Sequence, residues 1–377
     1  MSTHRGVVIL ARSLLAGGAE RQIALLAREL LGRGVPVTVL LFYGGGALHE
    51  ELVAAGVPCE VLGKRGRWHV LGFLVRLVRV LRRCRPAALY SFLVVPNVIA
   101  ALVRPLLPGT RLVWGVRSSR MDLTRYDWFA RVTFAASVGL ARVPDVIVCN
   151  SEAGRRDHAA AGYSSRRLVV VPNGIDAAFF QRREADAARL REVWNVPSGV
   201  PLVGLVARLD PKKGHEIFVE AAALLWARWP DARFVCVGMG SPGRAVELAE
   251  RATAAGLHGQ LAWVGQHDDM AAVYSALDVL CLTSRFGEGF PNVLGEALAC
   301  GTPVVATDVG DAAVVVGDGG IVVPPGSAEA VANGLDNVLR ALAEDAAACR
   351  ARARAAATRF SVGAMVDGTL AALGPLA

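Results

Sequence analysis

The chain has 377 residues, of which 53% are hydrophobic and 20% charged, with a net charge of +8. That length allows two domains with separate cores, and that composition excludes a disordered or low-complexity polymer. The charge is uneven: residues 1–172 carry 24 Lys and Arg against 10 Asp and Glu, and residues 173–377 carry 17 against 23. The first half therefore either faces something acidic or is arginine-rich by codon bias alone. Seven cysteines without a Cys-x-x-Cys pair read as reduced, buried thiols of a cytoplasmic protein and offer no zinc spacing.

In chain order, VVILA near the N-terminus reads as a first strand, its apolar run too short for a signal peptide. A helix from Ala19 to Leu31 and the strand VPVTVLLF follow, and strands continue with AALYSFLV, TRLVWGV, DVIVCN and LVVVP. The longest apolar stretch, Ala87 to Val103, is interrupted by Pro96-Asn97. Strand, turn and helix account for it better than a membrane span, with the helix expected to begin at Pro96. After PNGIDAAFF (172–180) the cycle restarts: LVGLVAR, a helix Ile217–Trp229, ARFVCVG, a helix Arg244–Ala255, LAWVG, DVLCL and TPVVATD. Short apolar strands alternating with helices predict parallel sheets covered on both faces. The expected architecture is α/β: two doubly wound Rossmann-like domains facing across a cleft, with ligand at the carboxyl ends of the strands. The expected boundaries are 1–172 and 173–355, with a C-terminal helix in 356–377 able to cross back to the first domain.

VGMGSPG (237–243) matches a dinucleotide fingerprint, Gly238-x-Gly240-x-x-Gly243. However, the next strand, LAWVG, ends without an acidic residue for a ribose, and Pro242 sits in the turn, so a nicotinamide site is disfavoured. SRFGEGFPNVLGEALACGTPVV (284–305) says more. A helix starting near Asn292 aims its unpaired N–H groups at the preceding loop, which suits a phosphate. Glu288 in that loop and Glu296 on the helix are acceptors suited to sugar and ribose hydroxyls. ARLDPKKG (207–214) supplies Arg208 and Lys213 as cations for the anion. Each of the four, taken singly, is as readily a surface charge; together at strand ends they point to a site.

GGAE (17–20), PNGID (172–176), ARLDPKKG, VGMGSPG and GEGFPNVLGEALACGTPVV, with its Glu-x7-Glu pair, resemble the retaining family-four (group 1) glycosyltransferases of GT-B fold. The resemblance runs in order along nearly the whole chain. It implies that Arg208 and Lys213 bind the donor diphosphate, Glu296 the ribose, and Glu288 the transferred sugar. Gly289, Phe290, Pro291 and Asn292 would complete the donor loop, and Gly17 and Gly18 would let the first loop approach the donor phosphates. Two departures stand out. Many relatives carry a histidine after the strand matching TRLVWGV, whereas this chain reads GVRSSRMD, leaving Arg117 and Ser118 as acceptor-side candidates. After Asp308 it reads VGDAAVVVGDGG, where relatives often have a glutamate. None of the seven histidines suggests a base, and His215 is expected to cap or pack.

The resemblance implies sugar transfer from a UDP- or GDP-linked donor to a saccharide or lipid-linked saccharide hydroxyl, in cell-surface polysaccharide or glycolipid assembly. No other cofactor, no metal and no nucleic acid are expected. Alternatives on the same fold are a nucleotide-sugar 2-epimerase or a phosphorylase; a basic nucleic-acid-binding module lacks the interleaved aromatics it would need. In VLGFLVRLVRVLRRCRP (70–86), Leu71, Leu74, Leu77, Val78 and Leu81 share one helical face, and Arg76, Arg79, Arg82 and Arg83 gather on the other. Such a helix covers a sheet with its leucines, and its arginines offer a dock for an anionic bilayer at the inner membrane face.

Overall fold

The computed structural model describes residues 6–15, 17–66, 70–117, 119 and 128–376. The chain divides into two compact units, Met1–Gly174 with Val362–Ala377, and Ile175–Ser361.

The first unit holds strands β1 (Val7–Ala11), β2 (Val37–Leu41), β3 (Cys59–Val61), β4 (Ala88–Phe92), β5 (Arg111–Val116), β6 (Val146–Cys149) and β7 (Leu168–Val170). Its helices are α1 (Gly18–Gly32), α2 (Ala47–Ala54), α3 (Leu71–Cys84), α4 (Val94–Val103), α5 (Trp128–Leu140) and α6 (Glu152–Ala160). In the second unit the strands are β8 (Leu202–Val206), β9 (Arg233–Val237), β10 (Leu261–Trp263), β11 (Val279–Leu282), β12 (Val304–Thr307) and β13 (Gly320–Val323). There the helices are α7 (Glu184–Val193), α8 (His215–Trp226), α9 (Pro242–Ala254), α10 (Met270–Ala276), α11 (Asn292–Ala299), α12 (Ala312–Val316) and α13 (Ala328–Ala357). The last helix, α14 (Val362–Leu373), returns to the first unit.

Both sheets are parallel, in the orders β3-β2-β1-β4-β5-β6-β7 and β10-β9-β8-β11-β12-β13. Strand order reverses between β1 and β4 and again between β8 and β11, the switch points where open α/β sheets bind ligands. Side-chain alternation explains the double covering. Val7, Ile9 and Ala11 of β1 face one core with Ile23, Leu26 and Leu30 of α1 and Val366 and Leu373 of α14. Val8 and Leu10 face another with Phe73, Leu77 and Leu81 of α3. Such strands, buried on both faces, read as unbroken apolar runs.

Several details differ from the sequence expectation, among them α8, which ends at Trp226 rather than Trp229. Helix α4 starts at Val94 rather than Pro96, after Leu93 turns the chain at φ 73°. Pro96 then occupies the first turn, where its missing N–H has no intrahelical acceptor to lose. In α3, Leu77 and Leu81 are buried, each contributing about 1.5–3 kcal/mol, but Leu71 is 81% exposed. All seven cysteines are free thiols, and none of the described helices is long and apolar enough to cross a membrane.

Candidate active site

Strand β8 delivers the chain into the loop Ala207–Gly214. Asp210 Oδ1 accepts from Lys212 N at 3.0 Å and tightens Pro211–Lys213 into a single 3-10 turn. Gly214 closes that turn at φ +63°, with the position of a Cβ only 2.2 Å from Thr283 O, so only glycine fits there. The loop after β11 is stitched to this one. Thr283 Oγ1 lies 3.0 and 2.9 Å from the carbonyls of Lys213 and Gly214, and Arg285 N donates to Lys212 O at 2.7 Å.

The outcome is a buried ion pair between Lys213 Nζ and Glu288 Oε1. Ser284 Oγ donates to the same oxygen at 2.6 Å, while Ser284 O accepts from Thr307 Oγ1 at 2.6 Å. Glu288 Oε2 accepts no hydrogen bond among the described residues. Burial works to raise the Glu288 pKa but is outweighed by the Lys213 charge and by hydrogen bonds from Lys213 and Ser284, so the carboxyl lies below its usual value. Glu288 is therefore an ionised acceptor, fixed through one oxygen and open at the other. Arg208 is exposed on the same loop, its guanidinium making no hydrogen bond among the described residues.

Helix α11 begins at Asn292 with Pro291 at the cap position and no capping side chain, so its end keeps its positive dipole for an anion. Gly289 O is occupied by Asp311 N at 3.0 Å. The Phe290 side chain is buried in the core, edge-on to Phe360 with centroids 5.0 Å apart. One helical turn on, Glu296 is 5% exposed, and Tyr274 donates to its Oε2 at 2.6 Å. His215, wholly buried beside Lys213, makes no hydrogen bond through either ring nitrogen among the described residues. Burial, with the Arg244 charge second, pushes its pKa down to about 4, so it is neutral and packs.

The Gly-x-Gly loop after β9 has a packing explanation. Gly238, at φ +148°, crosses so close to the preceding strand-end loop that a Cβ would sit 1.9 Å from Ala207 O; at Gly240 it would sit 2.5 Å from Leu209 Cβ. Leu209 N donates to Met239 O at 2.9 Å. These glycines set the ARLD loop rather than a dinucleotide.

The first unit carries the remaining candidates. Gly17 caps α1 in an extended conformation (φ −169°) and Gly18 opens the helix, so neither needs left-handed backbone there. Arg117, just past β5, donates from Nη1 to Asn173 Oδ1 and from Nη2 to Tyr90 Oη, both at 2.9 Å. Its guanidinium also stacks 4.8 Å from the Phe92 ring centroid. Burial raises the Tyr90 pKa against the opposing Arg117 charge, keeping the phenol neutral. Ser118 lies outside the described residues. Ser284, Tyr274, Tyr90 and Asn173 were not among the site residues expected from the sequence, although Asn173 lies in the PNGID motif and Ser284 opens the stretch 284–305. Only Ser284, four residues before Glu288, gave a local signal.

Comparison with known proteins bears on the family and the fold. Residues 200–341 match the family model described as "Glycosyl transferases group 1", and residues 16–179 match "Glycosyltransferase Family 4". A D-inositol 3-phosphate glycosyltransferase of Corynebacterium urealyticum is 32% identical over 207 residues, covering 52% of this chain and 48% of the relative. A phosphatidyl-myo-inositol mannosyltransferase of Mycolicibacterium smegmatis is 37% identical over 180 residues, covering 45% and 42%. The chain thus spans about half the length of these relatives. The crystal structure of Anabaena HepE in complex with UDP-glucose superposes with a TM-score of 0.84 at 25% identity, covering 97% of this chain and 98% of that one. These relatives lend nothing to the epimerase, phosphorylase or nucleic-acid readings. The two matched models fall one in each parallel-sheet unit, and the chain belongs to the family-four, group 1 glycosyltransferases of GT-B fold.

Proposed function

We propose that the protein transfers a sugar from a nucleotide-sugar, UDP- or GDP-linked, to a hydroxyl of a saccharide or lipid-linked saccharide, with retention of configuration and without a metal ion. The observation that carries this reading is the Lys213–Glu288 pair, with Glu288 Oε2 open, beside the uncapped end of α11 and the exposed Arg208. The HepE complex with UDP-glucose supports the donor class. As the glycosidic bond breaks, charge gathers on the leaving diphosphate. Arg208, Lys213 and the α11 end oppose it where it develops. Glu288 holds a sugar hydroxyl through Oε2, and Glu296 holds the ribose. The acceptor hydroxyl attacks from the leaving-group face, and its proton passes to a phosphate oxygen.

Calorimetry with UDP-, GDP-, ADP- and TDP-sugars tests the donor. One nucleotide should bind, and more weakly to Arg208→Ala by the roughly 1.5–3 kcal/mol of a charge-assisted contact. Glu288→Gln should spare free diphosphate while lowering turnover, and Glu296→Gln should weaken both diphosphate and donor. NMR of the product anomer and assay in EDTA check retention and metal independence. An inverted anomer, or metal-reversible loss of activity, refutes those parts.

A second element of the proposal is docking on an anionic bilayer through α3. Arg79 and Arg82 are exposed and make no hydrogen bond among the described residues, whereas Arg76 is tied to Leu62 O at 2.9 Å and Arg83 to Glu60. Beside them Leu71 (81% exposed) and Val75 (56%) offer apolar contacts. Flotation with phosphatidylglycerol liposomes should show binding that falls with salt and weakens in Arg79→Gln/Arg82→Gln. Absence of binding at low salt would favour an acceptor free in solution.

A further inference from the structure

Beside the Lys213–Glu288 pair, the carboxyl end of the second sheet holds another largely buried ion pair. Helix α8 starts directly after the Lys213 loop, with Gly214 at its cap position and Glu216 in its first turn. Helix α9 starts after the Gly238–Gly240 loop, where Ser241 Oγ caps it by accepting from Arg244 N at 3.4 Å. Arg244 Nη2 donates to Glu216 Oε1, and Nη1 donates to Glu247 Oε1 at 2.8 Å. The Arg244 and Glu216 side chains are only 11% and 16% exposed, whereas Glu247 lies open to solvent. Arg244 thus ties the start of one helix to the start of the other.

The place of this pair matters to Lys213. The wholly buried His215 imidazole lies under the charges of Arg244, Glu216 and Lys213 at once, so the two pairs share one neighbourhood. With little water there, charges act on one another more strongly than at the surface. Lys213 has one ammonium and two candidate carboxylates: Glu216, three residues on, and Glu288, 75 residues on. It pairs with the distant one. Arg244 accounts for that choice by occupying Glu216, whose Oε2 stays buried and makes no hydrogen bond among the described residues. Arg285 adds a second positive charge near Glu216, and its N is tied to Lys212 O. The cations a released Glu216 could turn to, Lys213 and Arg285, therefore both belong to the loops that build the site. A plain clamp between two helix starts would not need ions, because well-packed apolar side chains do the same without desolvating charge.

We infer that Arg244 is a positioning residue: it holds Glu216 aside, so that Lys213 pairs with Glu288 and both stay placed for the donor. The sorting of charges stands on the geometry alone, and its effect on the donor rests on the sugar-transfer reading above. Urea double-mutant cycles on the full chain, with Lys213→Met and Glu288→Gln, measure the Lys213–Glu288 coupling without any nucleotide. In an Arg244→Gln background that coupling, expressed as an equilibrium constant, should fall about tenfold, and in Arg244→Gln/Glu216→Gln it should return. Calorimetry with UDP and GDP should follow the same order: the nucleotide bound by the parent binds about tenfold more weakly to Arg244→Gln and nearly as in the parent to the double variant. Glu216→Gln alone should move neither readout by more than about twofold. Should Arg244→Gln not fold, Arg244→Lys replaces it with an intermediate fall, since one ammonium cannot serve Glu216 and Glu247 as the fork does. Coupling unchanged in the single variant, or lost as fully in the double variant as in the single, overturns the inference and makes the pair a helix clamp only. Coupling that falls and returns while neither nucleotide binds the parent upholds the sorting and overturns the donor reading instead.

Discussion

Each unit sets a cation just beyond the carboxyl ends of its strands, but the two cations keep different company. Arg117 in the first unit is held by neutral groups, the Tyr90 phenol, the Asn173 amide and the Phe92 ring. Lys213 in the second is matched by a carboxylate, Glu288. The first end therefore keeps an uncompensated positive charge, in line with the excess of 24 basic over 10 acidic residues in 1–172. The second end is locally neutral at the pair, with Lys212 and the exposed Arg208 on the same loop. The same element of chemistry thus serves two purposes: a standing field in one unit, and a carboxylate held ionised and oriented in the other.

The largest effect should come from breaking the charged pair. In Lys213→Ala, Glu288 stays buried at 7% exposure without its counter-ion. Removing one partner of a buried pair typically costs several kcal/mol, and we expect about 3–4 kcal/mol here. Lys213→Met combined with Glu288→Gln should recover most of it, because no charge is then stranded. Urea denaturation of the parent and the two variants checks this; a Lys213→Ala variant within about 0.5 kcal/mol of the parent would mean that the pair is not coupled. Because the folded-state pKa of Glu288 is depressed, the contribution of the pair is present above the ordinary value of 4.5 and is lost as pH falls below it.

Arg117→Met should cost less, about 2–3 kcal/mol, since it leaves the Tyr90 hydroxyl and Asn173 Oδ1 short of a donor and removes the stacking on Phe92. Its partners carry no charge from about pH 4 to 8, so this loss should not vary across that window, unlike the loss at Lys213. Arg117→Lys keeps the charge but not the fork, and should recover only part of the loss. Thermal or urea melts at two pH values separate the two behaviours. A loss at Arg117 that grew or shrank with pH as the Lys213 loss does would erase the contrast between the ends.

The sequence carried the sheets because doubly buried strands print apolar runs, and it put Lys213 and Glu288 forward together because strand-end loops keep their polar residues close in space. β3 escaped notice with three residues, none of them buried, and β13 with a leading glycine. The partners were less legible for a different reason. Tyr90 and Asn173 meet Arg117 across 27 and 56 residues, and Tyr274 meets Glu296 across 22, so only the sheet order joins them. Gly238 and Gly240 looked like a cofactor loop because the same residue type answers any close backbone approach, here to Ala207 and Leu209.

The smallest expected effect uses the two histidines that are buried among the described residues, one in each unit. His158 has an outlet: its Nδ1 lies 2.8 Å from Gly154 O, and that hydrogen bond partly offsets the burial that lowers its pKa. His215 makes no such hydrogen bond among the described residues, the nearby Ala207 backbone offsetting only a little of its burial, and it falls from 6.5 to about 4. With the folded-state pKa below the unfolded one, the unfolded chain binds the extra proton first. Stability is therefore full above pH 6.5 and declines as pH falls toward 4, by about 2 kcal/mol over the first two units. His215→Leu gives up no hydrogen bond and removes two dry ring nitrogens, so at neutral pH it should lie within about 1 kcal/mol of the parent. Its advantage should appear on acidification, as a flatter curve of stability against pH. His158→Leu gives up the Gly154 contact and should cost stability at neutral pH as well. Urea titrations at several pH values from about one unit above to about two units below the ordinary imidazole value of 6.5 give the curves. If parent and His215→Leu run parallel throughout, the buried imidazole takes its proton without penalty, and the second unit is no more acid-sensitive at this position than the first.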